Sequence, residues 1–398
     1  MPGSSGTSSK QCWGRPSNGR PPLVFLRWLA SRHLDPSRPP PVPPPATEEE
    51  WRDLAAQAGQ QGVAGLAYGN LSPSPRDSDG ACPASVRETL RESYRRNIAR
   101  NLLWREELAR LAPAFLSRGL QPIVLRGLTF LGTLYPDDGM RSSDDCDLCV
   151  RPAEQAQAHA LLLELGYERR LSGVNLYSHG AAHLDLHTGF GDEDRIRSRA
   201  RLHRIDVEQV WAEATPLPTG GGDLLQLSLR DSLLINALHL LKHDYERLIW
   251  KLDVTALMLE LTRRSQWPAV LQRAEAFGLA LPLACAAGYA EGLLPDLLQG
   301  IRDSVKHTLP AGVAGRLVRF LRQDRALDGL SGLVMVWMIP HLGDRLRFLA
   351  ETMLPMPGIR AGMREGWKER GTPHSFYADR MAKLLRALRC LIALMRTR

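Results

Sequence analysis

Apolar residues recur at helical spacing through the first part of the chain. Within 85–118 most of them lie three or four positions apart, at Val86, Leu90, Tyr94, Ile98, Leu102, Leu108, Leu111 and Phe115. One face of a helix collects such positions, and Gly119 is a usual residue at a helix end. Pro113 would kink or split this helix near its end, and Thr47 is the predicted cap of an earlier helix. Shorter helices of this kind are predicted at 23–34, 51–58 and 63–71.

Beyond Gly119 the pattern changes to that of short strands. The strands predicted at 173–178 and 182–187 should form an antiparallel hairpin. A short helix at 128–134 and a longer one at 154–165 are predicted between the strands. This order predicts a small mixed α/β unit. The strands are predicted at 122–125, 145–150, 173–178 and 182–187.

Helical spacing returns at residue 229 and continues to a final basic amphipathic helix. The sequence therefore predicts an α+β fold, in which a small mixed-sheet core is flanked by N-terminal helices and a C-terminal helical domain. The C-terminal helices are predicted at 229–243, 250–263, 268–277, 281–294, 312–323 and 376–396. The predicted regions are a disordered, Pro-rich segment (1–46), an N-terminal helical region (47–118), an α/β core (119–228) and the C-terminal helical domain (229–398).

The composition is that of a soluble globular protein, with 44% hydrophobic and 24% charged residues. A net charge of +8 mildly favours a polyanionic ligand such as a nucleotide or a nucleic acid. Residues 1–20 lack the apolar run of a signal peptide, and the longest apolar runs are too short to span a bilayer. Six scattered cysteines indicate reduced thiols, so a cytoplasmic location is expected.

Two carboxylates alternate along the predicted strand 145–150. Asp145 and Asp147 should leave one face, roughly 6–7 Å apart along the backbone. They would repel each other unless a cation lay between them, and oxygen ligands suit Mg²⁺ or Mn²⁺. Asp185 would complete a two-metal site if the strand 182–187 lies beside the first. The alternative is that the first two aspartates are surface residues on an edge strand.

The turn after the first predicted strand, at Arg126 and Gly127, has features of a phosphate-binding site. Gly127 allows close approach of the backbone to a phosphate, towards which the N–H groups of the following helix would point. Arg126 and Arg141 could neutralise phosphate charge. An ordinary strand-to-helix turn with solvated arginines remains the alternative.

Together these motifs resemble the uncharacterised bacterial nucleotidyltransferase-like family, which is part of the polymerase-β-like nucleotidyltransferase superfamily. The similarity runs from about residue 50 to the C-terminus. It rests on the segments Leu125-Arg-Gly127, Leu134-Tyr-Pro136, Arg141, Ser143-Asp-Asp-Cys-Asp-Leu-Cys-Val150, Leu165-Gly-Tyr167, His183-Leu-Asp-Leu-His187, His239-Leu-Leu-Lys242-His243, Arg247-Leu-Ile-Trp250 and Asp253.

The resemblance implies the polymerase-β-like fold, with Asp145, Asp147 and Asp185 as metal ligands and Gly127 in the phosphate-side turn. It implies a transfer of a nucleoside monophosphate from an NTP to an acceptor, with release of pyrophosphate and with Mg²⁺ or Mn²⁺ as cofactor. The acceptor is left open among a small molecule, a sugar, a protein side chain and an RNA end.

Two positions depart from the family pattern. Arg126 stands where the family usually has Lys, and it keeps the positive charge although the two side chains are not equivalent. Asp144 stands where the family usually has Ser. Its side chain should leave the opposite face of the strand from Asp145, so it need not disturb a metal site.

The second helical region adds candidates on the acceptor side of the site. Lys242, His243 and Asp253 could bind the acceptor or the triphosphate tail. The alternative is a structural pair of helices whose His and Asp residues bond to each other. The terminal helix carries an apolar stripe with basic flanks, and we expect it to pack on the helical bundle.

Other metal sites are possible in the same segments. Cys146 and Cys149 match Cys-x-x-Cys, but they should leave opposite faces of a strand and no second pair accompanies them, which disfavours zinc. His183, Asp185 and His187 share a face and could form a mononuclear transition-metal site. We favour His187 instead as a group that orients Asp185.

Two further functions stay open at this point. One is a catalytically inactive nucleotide- or partner-binding protein on the same fold. The other is a basic nucleic-acid-binding protein, although the sequence offers no recognised reader motif.

Overall fold

A seven-stranded mixed sheet lies between two sets of helices along the chain. The computed structural model describes residues 21–71, 82–170, 175–193, 196–294, 312–323, 325–354 and 376–396. Within them the order of elements confirms the predicted α+β fold, a mixed-sheet core flanked by N-terminal helices and a C-terminal helical region. Of the segment 1–46, predicted to be disordered or Pro-rich, residues 1–20 lie outside the described residues, and Pro21–Ser31 form a helix.

The N-terminal helices follow the predicted apolar spacing, and their bounds agree with prediction within three residues. Thr47 caps the second helix as predicted, because its side chain accepts a hydrogen bond from the backbone N–H of Glu50 at 3.2 Å. The Glu50 carboxylate accepts from the N–H of Thr47 in return, which completes a capping box. The helices are α1 (Pro21–Ser31), α2 (Glu48–Gln60), α3 (Ala64–Asn70) and α4 (Ala84–Ser117).

Helix α4 passes through Pro113 as one helix of 34 residues. A proline cannot donate to the carbonyl four residues earlier, which here belongs to Ala109. The backbone of Gly221 approaches that carbonyl so closely that a Cβ at Gly221 would lie 1.9 Å from its oxygen. The glycine turn between two strands of the sheet therefore packs against the part of the helix where the proline cannot donate a hydrogen bond to the carbonyl of Ala109.

The sheet has the strand order β3-β4-β5-β2-β1-β7-β6. Its centre is formed by β5, β2 and β1: β2 runs parallel to β5 and antiparallel to β1. The predicted hairpin is formed by β4 and β5. The sequence did not predict β3, β6 and β7. The strands are β1 (Ile123–Val124), β2 (Cys146–Cys149), β3 (Glu168–Arg169), β4 (Leu176–His179), β5 (Ala182–His187), β6 (Thr215–Pro218) and β7 (Asp223–Gln226).

The two faces of the central strands differ. Leu148 of β2 and its neighbours Leu184 and Leu186 of β5 are almost fully buried against the apolar sides of α4 and of helix α5 (Gln155–Glu164). Side chains alternate along a strand, so the acidic residues of β2 and β5 leave the other face. Packing on one face thus fixes the direction in which the acidic side chains point.

Short helices connect these elements, and further helices follow them. The N-terminal helices α1–α3 and the helices after the sheet share one hydrophobic cluster, and the backbone N–H of Ile249 donates to the carbonyl of Gln61 at 3.2 Å. Where helices were predicted after residue 228, their bounds agree within two residues. The described helices include none long and apolar enough to cross a membrane. The helices are α6 (Val207–Glu213), α7 (Leu229–Lys242), α8 (Leu248–Arg263), α9 (Trp267–Phe277), α10 (Ala280–Leu293), α11 (Val313–Arg322), α12 (Ser331–Met338), α13 (Leu342–Met353) and α14 (Phe376–Met395), with 3₁₀ helices at Leu128–Phe130, Pro152–Glu154 and Arg197–Arg201.

Candidate active site

Two carboxylates and an imidazole meet on the polar face of the sheet. The parallel pairing of β2 with β5 sets Asp147 directly opposite Asp185. Nε2 of His187 lies 2.9 Å from Oδ1 of Asp147 and 3.5 Å from Oδ2 of Asp185. One ligand atom from each of these three residues lies within 4.8 Å of the other two. This group could hold a metal ion.

Asp145 directly precedes β2 and borders the same cavity as Asp147 and Asp185. Burial, followed by the negative charge of Asp147, raises the pKa of Asp145 to about 6. For Asp147 itself burial acts in the same direction, but the charge of Arg126 and the hydrogen bond with His187 outweigh it and hold its pKa well below the usual range. The cluster therefore concentrates negative charge in a place with little solvent, which favours a bound cation.

Gly127 occupies a tight turn at the end of β1. Its φ and ψ of 70° and −82°, together with a 2.7 Å hydrogen bond from the N–H of Leu128 to the carbonyl of Arg126, define a γ-turn that side chains disfavour. A Cβ at Gly127 would lie 2.9 Å from Nη1 of Arg141 and 3.2 Å from Oγ of Ser143. The turn is therefore packed directly against the loop that leads into β2.

Arg126 faces the acidic cluster. Its Nη2 lies 3.0 Å from Oδ2 of Asp147, and its guanidinium also contacts Nδ1 of His239. The phosphate-side turn and the acidic strand are thus joined by an ion pair. Asp144, the other departure from the family pattern, pairs with Arg100 of α4 and lies 3.7 Å from Arg247.

Arg141 and Asp253 form a buried ion pair beside the glycine turn. Nε and Nη2 of Arg141 donate to the two carboxylate oxygens of Asp253 at 3.1 and 2.7 Å, and the hydroxyl of Tyr135 donates to Asp253 at 2.7 Å. The two residues are 5% and 1% exposed. Arg141 also borders the cavity of the site, so its phosphate contact and the acceptor contact of Asp253 stay predictions. The two charges satisfy each other in the interior and support the glycine turn.

The opposite wall of the cleft comes from the end of α7 and the start of α8. His239 and His243 pack against each other and against the ring of Trp250, with centroid distances of 4.4 to 5.1 Å. Burial and nearby positive charge lower the pKa of His243 to about 3 and that of His239 well below its usual value. Both imidazoles are therefore neutral at pH 7. Burial lowers the pKa of Lys242 to about 8.

Asp192 is a site residue that the sequence reasoning missed. It follows β5 in a glycine-rich loop and adopts a φ of 61°. Its carboxylate accepts from Arg199 at 3.1 Å and from Lys242, and lies 3.8 Å from Nδ1 of His187. An aspartate directly after Gly189-Phe-Gly191, at the end of a strand with acidic and histidine residues, was the available signal.

These groups border one cavity of about 290 Å³. Asp145, Asp147 and Asp185 lie on the sheet side, and Lys242 and His243 on the helical side. That volume is near the lower end for small-molecule sites.

Other sequence candidates lie outside the ligand group. His183 is on β5 but is not among the three residues that could hold an ion. Cys146 and Cys149 are fully buried in β2. Among the described residues the candidate metal site is therefore the one formed by the two strands and His187.

A sequence model of the uncharacterised nucleotidyltransferase family matches residues 47–295. The chain belongs to this family. The matched residues include every strand of the sheet and both walls of the cleft, so the nucleotidyltransferase family is confirmed as predicted from the motifs. Comparison with curated proteins and with solved structures finds no match.

Proposed function

We propose that the protein is a metal-dependent nucleotidyltransferase that transfers a nucleoside monophosphate from an NTP to an acceptor and releases pyrophosphate. The observation that carries this proposal is the pairing of Asp147 with Asp185 on adjacent parallel strands. This pairing brings carboxylates from two separate segments into one cleft, where the basic wall from α7 faces them. Family membership supports nucleotidyl transfer as the reaction class.

The carboxylates fit a divalent cation by their chemistry. Oxygen ligands from Asp145, Asp147 and Asp185 are those that Mg²⁺ and Mn²⁺ accept. In our proposal Asp145 and Asp147 hold the cations on the triphosphate, and Asp185 holds the one next to the acceptor. When bound, the cations would neutralise phosphate charge and polarise the attacking oxygen.

Positively charged groups of the chain would hold the phosphates that leave. The side chain of Arg126 lies beside Asp147, and the turn at Gly127 borders the same cleft. Lys242 lies on the facing helix. In our proposal Arg126 exchanges Asp147 for a phosphate oxygen once a cation neutralises the carboxylate. Such an exchange keeps every charge in the cleft paired, and the catalytic gain is electrostatic and positional.

The aromatic wall would receive the nucleobase or the acceptor. Trp250 and His243 present ring surfaces to the cavity, and Arg247 stacks on Trp250 with its guanidinium carbon 5.3 Å from the ring centroid. Base–aromatic stacking is tolerant of base identity. We therefore expect these rings to position a ring system without selecting one base strongly.

A second candidate function has its own supporting observation. Both oxygens of Asp147 are engaged, one by His187 and the other by Arg126. A carboxylate held in this way suits a protein that binds a nucleotide without turning it over. This alternative predicts nucleotide binding with no release of pyrophosphate.

The test is pyrophosphate release from each of the four NTPs with Mg²⁺ or Mn²⁺, in the presence of acceptor fractions from a cell lysate. We expect Asp147→Asn to abolish release while the protein remains folded by circular dichroism. Asp138→Asn is the matched control, because Asp138 pairs with Arg105 of α4 and is not among the residues that border the cavity. Release that survives in Asp147→Asn would contradict the catalytic role. Nucleotide binding by the unchanged chain with no release from any fraction would favour the binding protein.

A further inference from the structure

His187 is placed between the two facing aspartates rather than behind one of them. It is the last residue of β5 and lies two positions after Asp185, so both side chains leave the same face of the strand. The residue is 2% exposed. Its Nε2 atom lies 2.9 Å from Asp147 and 3.5 Å from Asp185, on two different strands. A cation shared by these carboxylates would therefore have an imidazole nitrogen beside it.

The other ring nitrogen faces a carboxylate. Nδ1 of His187 lies 3.8 Å from Oδ1 of Asp192. Asp192 is itself fixed by Arg199 at 3.1 Å and by Lys242. A carboxylate on the far side of the ring is the arrangement by which proteins fix the tautomer and orientation of a metal-binding histidine. The loop after β5 thus places a carboxylate near the ring on the side opposite the cluster.

We propose that His187 is a direct metal ligand through Nε2, and that Asp147, Asp185 and His187 form a site that prefers Mn²⁺ to Mg²⁺. Imidazole nitrogen suits transition-metal ions, whereas Mg²⁺ strongly prefers oxygen ligands. Asp192 acts as the positioning residue for the ring. This inference rests on the proposed function only for the presence of a divalent cation at the carboxylates.

His183 provides a matched control on the same strand. It lies four residues before His187 on the same face of β5, yet it is not part of the group of three possible ligands. Replacing either histidine by Gln removes one imidazole from this face and leaves an amide of similar length. Only the change at position 187 alters the ligands that face the cation.

The first experiment measures ion binding to the full chain without nucleotide. Mn²⁺ is titrated with detection of the free ion by electron paramagnetic resonance, and Mg²⁺ is titrated in competition. We expect His187→Gln to lower the ratio of Mn²⁺ to Mg²⁺ affinity by about tenfold or more, the scale on which the partners of metal ligands act. His183→Gln should keep the ratio of the unchanged protein. An equal loss of both ions in His187→Gln, or an unchanged ratio, would overturn the proposal.

A second measurement uses the unchanged protein, so it holds even if His187→Gln fails to fold. Pulsed electron paramagnetic resonance of bound Mn²⁺ detects a coupled ¹⁴N nucleus when an imidazole is a ligand. We expect this coupling, and its absence would overturn the assignment. The result is separable from the proposed function. Nitrogen coupling without pyrophosphate release would support the metal site and contradict the transferase function. Pyrophosphate release without nitrogen coupling would support the transferase function and contradict the metal site.

Discussion

Nη2 of Arg126 lies 3.0 Å from Oδ2 of Asp147, and this ion pair links the phosphate-side turn to the acidic strand. Both side chains are 14% exposed, so solvent screens the pair only in part. Each partner has a second use in the proposed reaction, because Asp147 would take a cation and Arg126 a phosphate. In the proposed reaction the ion pair would therefore compete with the cation for Asp147 and with a phosphate for Arg126.

This competition predicts opposite effects of one substitution on two ligands. Arg126→Met should tighten Mn²⁺ binding measured without nucleotide, because a positive charge leaves the neighbourhood of Asp147. The same change should weaken NTP binding by about 1.5–3 kcal/mol, the contribution of a charge-assisted hydrogen bond. Calorimetric titration measures both. Arg100→Met is the control, because it removes an arginine paired with Asp144 at the rim. Weaker binding of both ligands in Arg126→Met would contradict the competition.

The buried pair behind the turn should be important for stability. Asp253→Asn leaves the guanidinium of Arg141 without its counter-charge in the interior, so we expect a loss of about 3–5 kcal/mol in the free energy of unfolding. Denaturant unfolding measures it. Glu164→Gln is the control, because Glu164 pairs with Arg118 at the surface, with side chains 54% and 42% exposed, and such a pair contributes about 1 kcal/mol or less. Similar losses in the two variants would show that the buried pair contributes no more to stability than the surface pair.

Two glycines share a positive φ but differ in the space around them. Gly127 and Gly132 have φ values of 70° and 75°, but a Cβ at Gly132 would meet nothing within 4 Å. Each alanine substitution should cost about 1–3 kcal/mol for its positive φ. Gly127→Ala should destabilise further and weaken NTP binding, because its Cβ displaces Arg141. Thermal unfolding and nucleotide titration of both variants check this. Equal effects would mean that the contact with Arg141 does not matter.

Local patterns predicted most of the helices and the shared face of the acidic residues on each strand, since both follow from side-chain periodicity. They left open whether the two acidic strands are neighbours, and they missed the helices α6, α12 and α13. They missed β6, because Pro216 and Pro218 argue against a strand. The structure places β6 at the edge of the sheet, where a proline removes no ladder bond. The partner of Arg141 was also beyond local patterns, because Asp253 lies 112 residues away and many arginines look alike in sequence. The position of Asp192 in the site depends on a backbone turn that the neighbouring glycines alone do not predict.

A histidine far along the chain from the cluster should make stability depend on pH. Burial lowers the pKa of His33 to about 4, and its ring lies 5.3 Å from that of Tyr135. The unfolded chain takes up the proton near pH 6.5 and the folded chain only near pH 4, so the stability present above pH 6.5 is lost as the pH falls through this window.

The loss approaches about 3 kcal/mol once the pH is below both values. Denaturant unfolding at pH 7.5, 6, 5 and 4 measures it, and His33→Gln should reduce the fall because Gln does not titrate. Carboxylates also titrate in this range. The decisive quantity is therefore the difference between the unchanged protein and His33→Gln in the slope of unfolding free energy against pH. Parallel curves would show that His33 is solvated in the folded state.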